Sequence, residues 1–250
     1  MLELKNVSFG VSDDGREKTI LKDVSLTIPD RQLVVVTGPN GGGKSTLAKV
    51  IAGIEKPTAG KILLNGEDIT DMSITERANK GIAFAFQQPV RFKGINVLDL
   101  IRIATGKNMS AADACRYLSA VGLCAKDYID REVSGNLSGG ELKRIEIATV
   151  IARASKFSVF DEPEAGIDLW SFKNLVEVFR RIRAEIEDSS IMIISHQERI
   201  LEIADEIIML KDGEIAKKGK KEDVLPDLLG TGAAIGGCRK IEEEKGGYVC

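Results

Sequence analysis

Gly38-Pro39-Asn40-Gly41-Gly42-Gly43-Lys44-Ser45-Thr46 fits the G-x-x-x-x-G-K-[ST] pattern of a P-loop at every fixed position. Its glycines let the backbone turn so that several N–H groups face one concavity, where α- and β-phosphates can sit without side chains in the way. Lys44 adds a point charge toward the β/γ-phosphates, the Ser45 hydroxyl is placed to ligand Mg²⁺, and the start of the following helix favours an anion. A glycine-rich turn is the plain alternative. The flanks argue against it: Leu33-Val34-Val35-Val36-Thr37 reads as a buried strand, and Leu47-Ala48-Lys49-Val50-Ile51-Ala52 continues as a helix.

Working outward, residues 2–9 and 19–28 are apolar or alternating and are separated by Ser12-Asp13-Asp14-Gly15-Arg16, the pattern of an antiparallel hairpin. Phe9 closes the first strand, where its ring either stacks on a purine base or is an ordinary strand aromatic. Downstream, Gly60-Lys61-Ile62-Leu63-Leu64 with Asn65-Gly66 predicts a strand and tight turn. Another strand, 81–86, ends at Gln87. A helical pattern from 96 to about 130 forms an insertion closed by Gly122 in its second helix. Leu137-Ser138-Gly139-Gly140-Glu141 then opens a helix reaching about Ala154.

Phe157-Ser158-Val159-Phe160-Asp161-Glu162 is an apolar strand ending in two carboxylates, the end at which open α/β sheets bind ligands. Asp161 there can hold Mg²⁺ opposite Ser45, and Glu162 is suited to polarise an attacking water. Two solvated acids at a strand end would be the bland reading, which the P-loop upstream weakens. After a helix at 169–187 comes Ile191-Met192-Ile193-Ile194-Ser195, with His196, the chain's single histidine, directly behind it. That position would let the imidazole contact a γ-phosphate, although a lone histidine is more often structural. Gln87, also behind a strand, could reach the Mg²⁺ or its water, or merely cap. Strands at 207–210 and 214–216 about Asp212-Gly213 complete an α/β alternation.

Across 250 residues, 43% hydrophobic, there is room for a nucleotide-binding core and a subdomain. Lysine and arginine number 35 against 38 acidic residues, a net charge of -3, so no general basic surface for nucleic acid is expected. No apolar run approaches the roughly 20 residues that span a bilayer, and Met1-Leu2-Glu3-Leu4 lacks a signal-peptide layout; a cytoplasmic protein without direct membrane insertion is expected. Cys115, Cys124, Cys238 and Cys250 have no zinc-type spacing and are expected to be free thiols.

The order of these motifs resembles the ATP-binding-cassette (ABC) ATPases over roughly residues 1–220. The P-loop, the glutamine loop at Gln87, the signature 137–141, Asp161 with Glu162, the D-loop Ala165-Gly166-Ile167-Asp168 and the switch His196 stand in that family's order. The resemblance implies an α/β P-loop NTPase cassette. In it a mixed-sheet, RecA-like core with an N-terminal antiparallel β subdomain occupies 1–95 and 155–229, a helical signature subdomain 96–154, and a tail 230–250. It further implies ATP and Mg²⁺ as ligands and hydrolysis as the activity. The expected partnership is a head-to-tail, ATP-dependent homodimer in which Ser138, Gly139 and Gly140 bind the γ-phosphate held by the other subunit and Asp168 adjoins it. Ser138 as a plain helix cap is compatible with that role.

Ala85-Phe86-Gln87-Gln88-Pro89-Val90-Arg91-Phe92-Lys93-Gly94, Glu141-Leu142-Lys143-Arg144 and His196-Gln197-Glu198-Arg199-Ile200-Leu201 look like SufC-type cassettes. Those work with a SufB/SufD-like scaffold in iron–sulfur cluster assembly. Pro163 after Glu162 is, in contrast, usual in transporter cassettes, and Leu137 stands where the Suf signature more typically has phenylalanine. The alternative partner is therefore a membrane permease subunit.

Overall fold

The computed structural model describes residues 1–13, 16–134, 136–185 and 189–235. Its centre is a six-stranded sheet of order β10-β9-β3-β8-β7-β6. Here β3 is Leu33–Thr37, β6 Ile82–Ala85, β7 Phe157–Asp161, β8 Ser190–Ile194, β9 Glu206–Lys211 and β10 Glu214–Lys220. The five strands from β9 to β6 run parallel, and β10 pairs antiparallel at the edge. The inner strands are largely apolar because both faces are covered. Val34, Val36, Met192 and Ile194 face one apolar cluster, while Leu33, Val35, Ile191 and Ile193 face the other.

The first cluster lies under a four-stranded antiparallel sheet, β2-β1-β4-β5, comprising β1 (Leu2–Asp13), β2 (Arg16–Ile28), β4 (Ala59–Leu64) and β5 (Glu67–Asp68). The β1–β2 hairpin pairs out to Asp13 and Arg16, so its strands are longer than expected at the turn. Asn65 and Gly66 both have positive φ, 52° and 81°, the backbone a two-residue Asn-Gly turn demands. Helix α1 (Lys44–Ala52) packs between the two sheets, with Leu47, Ala48, Val50 and Ile51 buried.

Helix α2 (Ile74–Lys80) was not expected, yet its signals are local: Ser73 and Glu76 form a reciprocal capping box and Gly81 ends it in the left-handed region. The helical insertion is α3 (Val97–Thr105), α4 (Ala111–Ala120), α5 (Ala125–Tyr128) and α6 (Gly139–Arg153). Its buried residues Ile101, Leu118, Leu142 and Ile145 belong to the same apolar cluster as Val35 and Ile193. Helices α7 (Leu169–Glu185) and α8 (Glu198–Leu201) complete the outer layer, and α9 (Lys221–Ile235) carries regular backbone into the stretch assigned to the tail; 236–250 lies outside the described residues. Among the described residues no helix is long and apolar enough to cross a membrane.

One buried cation holds two of these pieces together. Arg77 on α2 is 1% exposed and donates to Val50 and Ile51 carbonyls at 2.7 and 2.9 Å, to Thr70 at 2.7 Å and to Met72 at 3.2 Å. The first two are carbonyls of the last turn of α1, the Val50 one also accepting the Gly53 N–H, so the guanidinium caps the phosphate-loop helix from outside it. Burial pushes its pKa down and the Asp71 charge opposes this, while four of its N–H groups meet backbone carbonyls in place of water. Arg77→Met should therefore destabilise the fold by about 3 kcal/mol, because it strands several buried carbonyls at once. Urea unfolding of both proteins checks the value.

Candidate functional site

Strand β3 stops at Thr37 and the chain turns at Gly38, whose φ is 134°. A Cβ there would stand 2.0 Å from the Leu210 carbonyl of β9, so glycine is required by contact as well as by conformation. The loop folds over the start of α1. Lys44 is 6% exposed, and its Nζ donates to the Gly38 and Pro39 carbonyls at 2.9 and 3.0 Å, which ties the ammonium to the phosphate-facing loop.

Next to it, Ser45 Oγ donates to Asp161 Oδ1 at 3.0 Å. Asp161 is 3% exposed, and its carboxyl pKa is pushed up mainly by burial, with the Ser45 hydroxyl pulling it back and the Glu162 charge adding to the rise. A buried acidic oxygen with only a hydroxyl on it is relieved by a hard cation. One carboxylate and one hydroxyl, with phosphate oxygens and water to complete the shell, is the donor set Mg²⁺ takes. Among the described residues no group of three or more His, Cys, Asp or Glu gathers into a metal site of its own.

Glu162 follows with φ 43°, the left-handed region that a non-glycine residue enters only under constraint. Its N–H donates to the Ile194 carbonyl at 3.0 Å and its Oε2 accepts from Gln87 Nε2 at 2.6 Å. The strained turn lets Asp161 point at Ser45 and Glu162 at Gln87, though the two are neighbours in sequence. Asn40, Gly41, Gly43, Lys44, Ser45, Thr46, Gln87 and Glu162 line one open cleft of 660 Å³, walled on its far side by Lys18, Thr19, Ile20 and Lys22 of β2.

Phe9 does not join them. It is 7% exposed in the cluster beneath the antiparallel sheet with Leu2, Leu4 and Val7, because the extra β1 residue between Leu4 and Val7 keeps all four side chains inward. The expected base-stacking ring is thus a core residue, and the cleft wall where a base would lie is the aliphatic and cationic edge of β2. His196 is exposed just behind β8 and does not line the cleft. Nor do Ser138, Gly139, Gly140 and Asp168. Ser138 caps α6: its hydroxyl accepts from the Glu141 N–H at 3.3 Å, and Glu141 accepts from the Ser138 N–H at 2.7 Å and from Tyr128 at 2.5 Å. Gly139 and Gly140 face open space. Cys115 and Cys124 are free thiols, and Cys238 and Cys250 lie outside the described residues.

Two residues that the sequence did not single out fix the glutamine loop. Lys143 on α6 is fully buried, bonds to the Phe86 carbonyl, and lies 3.4 Å from that of Gln87 and 3.1 Å from Glu146. Glu146 Oε1 in turn accepts the Phe86 N–H at 2.9 Å. Burial pushes the Glu146 carboxyl pKa up, and Lys143 with the Phe86 N–H draws it down. Their spacing of three on a helix was visible, but only the fold shows that this pair is turned inward onto a loop 57 residues away in sequence.

Residues 21–165 match the model of the ABC transporter ATP-binding family. The chain belongs to that family. It is 39% identical over 215 residues to an uncharacterised ABC transporter ATP-binding protein of Methanocaldococcus jannaschii, covering 83% of this chain and 85% of the relative. It is 32% identical to a sulfate/thiosulfate import ATP-binding protein of Synechocystis over 86% of this chain, spanning only 60% of that relative's length. Among solved structures, an ATP-binding cassette captured as a dimer after hydrolysis with ADP and Pi superposes with a TM-score of 0.79 at 25% identity, over 88% of this chain and 99% of that one. As an ABC cassette the chain is an ATPase that binds ATP with Mg²⁺.

Removing the loop-bound charge in Lys44→Ala should weaken ATP binding at least about tenfold, whereas Phe9→Leu should leave it unchanged and only lower stability, by about 1 kcal/mol. Calorimetric titration of ATP, paired with thermal unfolding, checks both.

Proposed function

We propose that this chain is the ATP-hydrolysing subunit of a larger assembly, transmitting each cycle to a partner seated beside Gln87. The observation that carries the reading is the Gln87–Glu162 hydrogen bond, 2.6 Å long, which joins the cleft to a surface groove. The same loop exposes Phe86, Val90 and Phe92 at 39, 43 and 37%, around a 170 Å³ apolar hollow that reaches Leu142 and Ile145 of α6. Large apolar side chains left uncovered together mark an interaction surface.

In the cleft, the loop N–H groups and Lys44 hold the phosphates, and Ser45 with Asp161 would hold a Mg²⁺, which would supply charge stabilisation to the phosphates. Glu162 takes the proton of the attacking water, Gln87 orients that water and Glu162 together, and His196 meets the γ-phosphate once the site closes. Closure involves a second copy: Ser138, Gly139 and Gly140 at the N-terminus of the 15-residue α6 offer N–H groups to the γ-phosphate held by the other subunit, with Asp168 beside it. ATP then bridges a head-to-tail dimer, and its hydrolysis releases the bridge. The dimeric solved relative with ADP and Pi supports this mode.

The partner is most simply a membrane permease, since the named relatives are transporter ATP-binding proteins, one of them for sulfate/thiosulfate import. A second reading rests on the glutamine segment itself. Residues 85–94 follow the SufC-type run, which favours a SufB/SufD-like scaffold, with this chain in the cytoplasm powering iron–sulfur cluster assembly.

Glu162→Gln should bind ATP with near-normal affinity and turn it over about 100-fold or more slowly, accumulating as a dimer in size-exclusion chromatography with ATP. Wild-type turnover would exclude Glu162 as the base. Phe92→Asp should keep the isolated ATPase intact and lose the partner in affinity purification from the native host. A polytopic protein recovered with detergent identifies the permease; a soluble scaffold recovered without it, the cluster-assembly role.

A further inference from the structure

Glu164, two residues beyond Glu162, is a carboxyl folded inward for which the scheme above has no use. Its Oε1 accepts from Ser195 Oγ at 2.5 Å, and its Oε2 is buried without a hydrogen-bond partner among the described residues. Ser195 is itself fully buried and is the residue before His196. The same hydroxyl, its proton committed to Glu164, accepts the Gln197 N–H at 3.0 Å, and the Ser195 N–H is anchored on the Val36 carbonyl at 3.1 Å. His196 is thus the exposed apex of a turn whose two flanks are both fixed through Ser195. At its other end Glu164 begins the D-loop, where its carbonyl accepts the Ile167 N–H at 3.1 Å and the Glu162 carbonyl accepts the Ala165 N–H at 3.0 Å.

We propose that Glu164 is a positioning residue for hydrolysis: through Ser195 it sets the place of His196 relative to Glu162 and joins the D-loop to the histidine turn. The chemistry needs an acceptor that reaches across from the end of β7 to the end of β8. Aspartate is one methylene short, and an apolar side chain would free the Ser195 hydroxyl to rotate and release the Gln197 N–H. That one oxygen remains unsatisfied in a buried site is what a group retained for its reach and its acceptor looks like, since packing alone would favour a carbon side chain. Burial pushes the Glu164 carboxyl pKa up, with the Ser195 hydroxyl and His196 opposing. An amide at 164 presents the same acceptor without that conflict.

The inference rests on His196 acting in turnover, and the experiment separates the two. Steady-state ATPase rates, ATP affinity by titration and melting temperatures are measured for Glu164→Ala, Glu164→Gln, Ser195→Ala, His196→Ala and the double variant Glu164→Ala/His196→Ala. Expected are a kcat loss of about tenfold in Glu164→Ala with ATP affinity within about twofold, near-full recovery in Glu164→Gln, and no further loss when Glu164→Ala is added to His196→Ala. Ser195→Ala, which removes the link from its other side, should repeat the loss and carries the test if Glu164→Ala does not fold. Equal losses with and without His196, or a lowered melting temperature with unchanged kcat, overturn the positioning role. Wild-type kcat in His196→Ala overturns the histidine's own role, and the proposal with it.

Discussion

The 3.0 Å hydrogen bond from Ser45 to Asp161 spans 116 residues of sequence and joins the phosphate loop to the acidic end of β7, and the proposed Mg²⁺ site depends on it. β3, which delivers the phosphate loop, and β7, which delivers Asp161, are not neighbours; β8 lies between them. The hydroxyl reaches the carboxyl only because α1 lies across the sheet face, its apolar side packed under the antiparallel sheet. A parallel sheet buried on both faces is rigid, and this rigidity places two hard oxygen donors within reach of one cation.

Several of the buried polar groups sit at junctions between elements. Arg77 caps α1 from α2, Lys143 and Glu146 hold the backbone of Phe86 and Gln87 from α6, and Glu164 holds Ser195 from the loop after β7. Each stands where two elements meet: Arg77 at the far end of the phosphate-loop helix, the others at the loops beside the cleft. Burying such groups costs free energy unless every partner is in place, so each makes one arrangement of its junction much better than the alternatives. The apolar clusters hold the layers together; these contacts fix the loops between them.

The glutamine loop joins two environments. Its amide meets Glu162 in the cleft, while Phe86, Val90 and Phe92 on the same stretch are left to solvent beside α6. Lys143 and Glu146 hold the backbone of Phe86 and Gln87, which suits the proposed passage of partner movement to the carboxylate. Mechanical coupling of this kind needs a short, braced segment, and the loop from Phe86 to Gly94 is braced at both ends: by α6 at Phe86, and by the Glu132 carboxylate on the Gly94 N–H at 2.7 Å.

The sequence alone determined the phosphate loop, the paired acids after β7, the inner strands and the family to which the chain belongs, because each of these is written in adjacent residues whose spacing reflects local backbone geometry. It also carried the α2 cap and the Asn-Gly turn, both decided within four residues. Where Phe9 points was not legible: three register shifts between β1 and β2, one of them an extra residue in β1 between Leu4 and Val7, set which side chains face inward, and one shifted residue exchanges the core face for the other. Lys143 and Glu164 were equally hidden, since nothing in a helical or loop pattern says that a charged side chain turns inward to serve a backbone or hydroxyl group 57 or 31 residues away. Such partners are chosen by how whole elements pack, and packing is decided only when the tertiary structure closes.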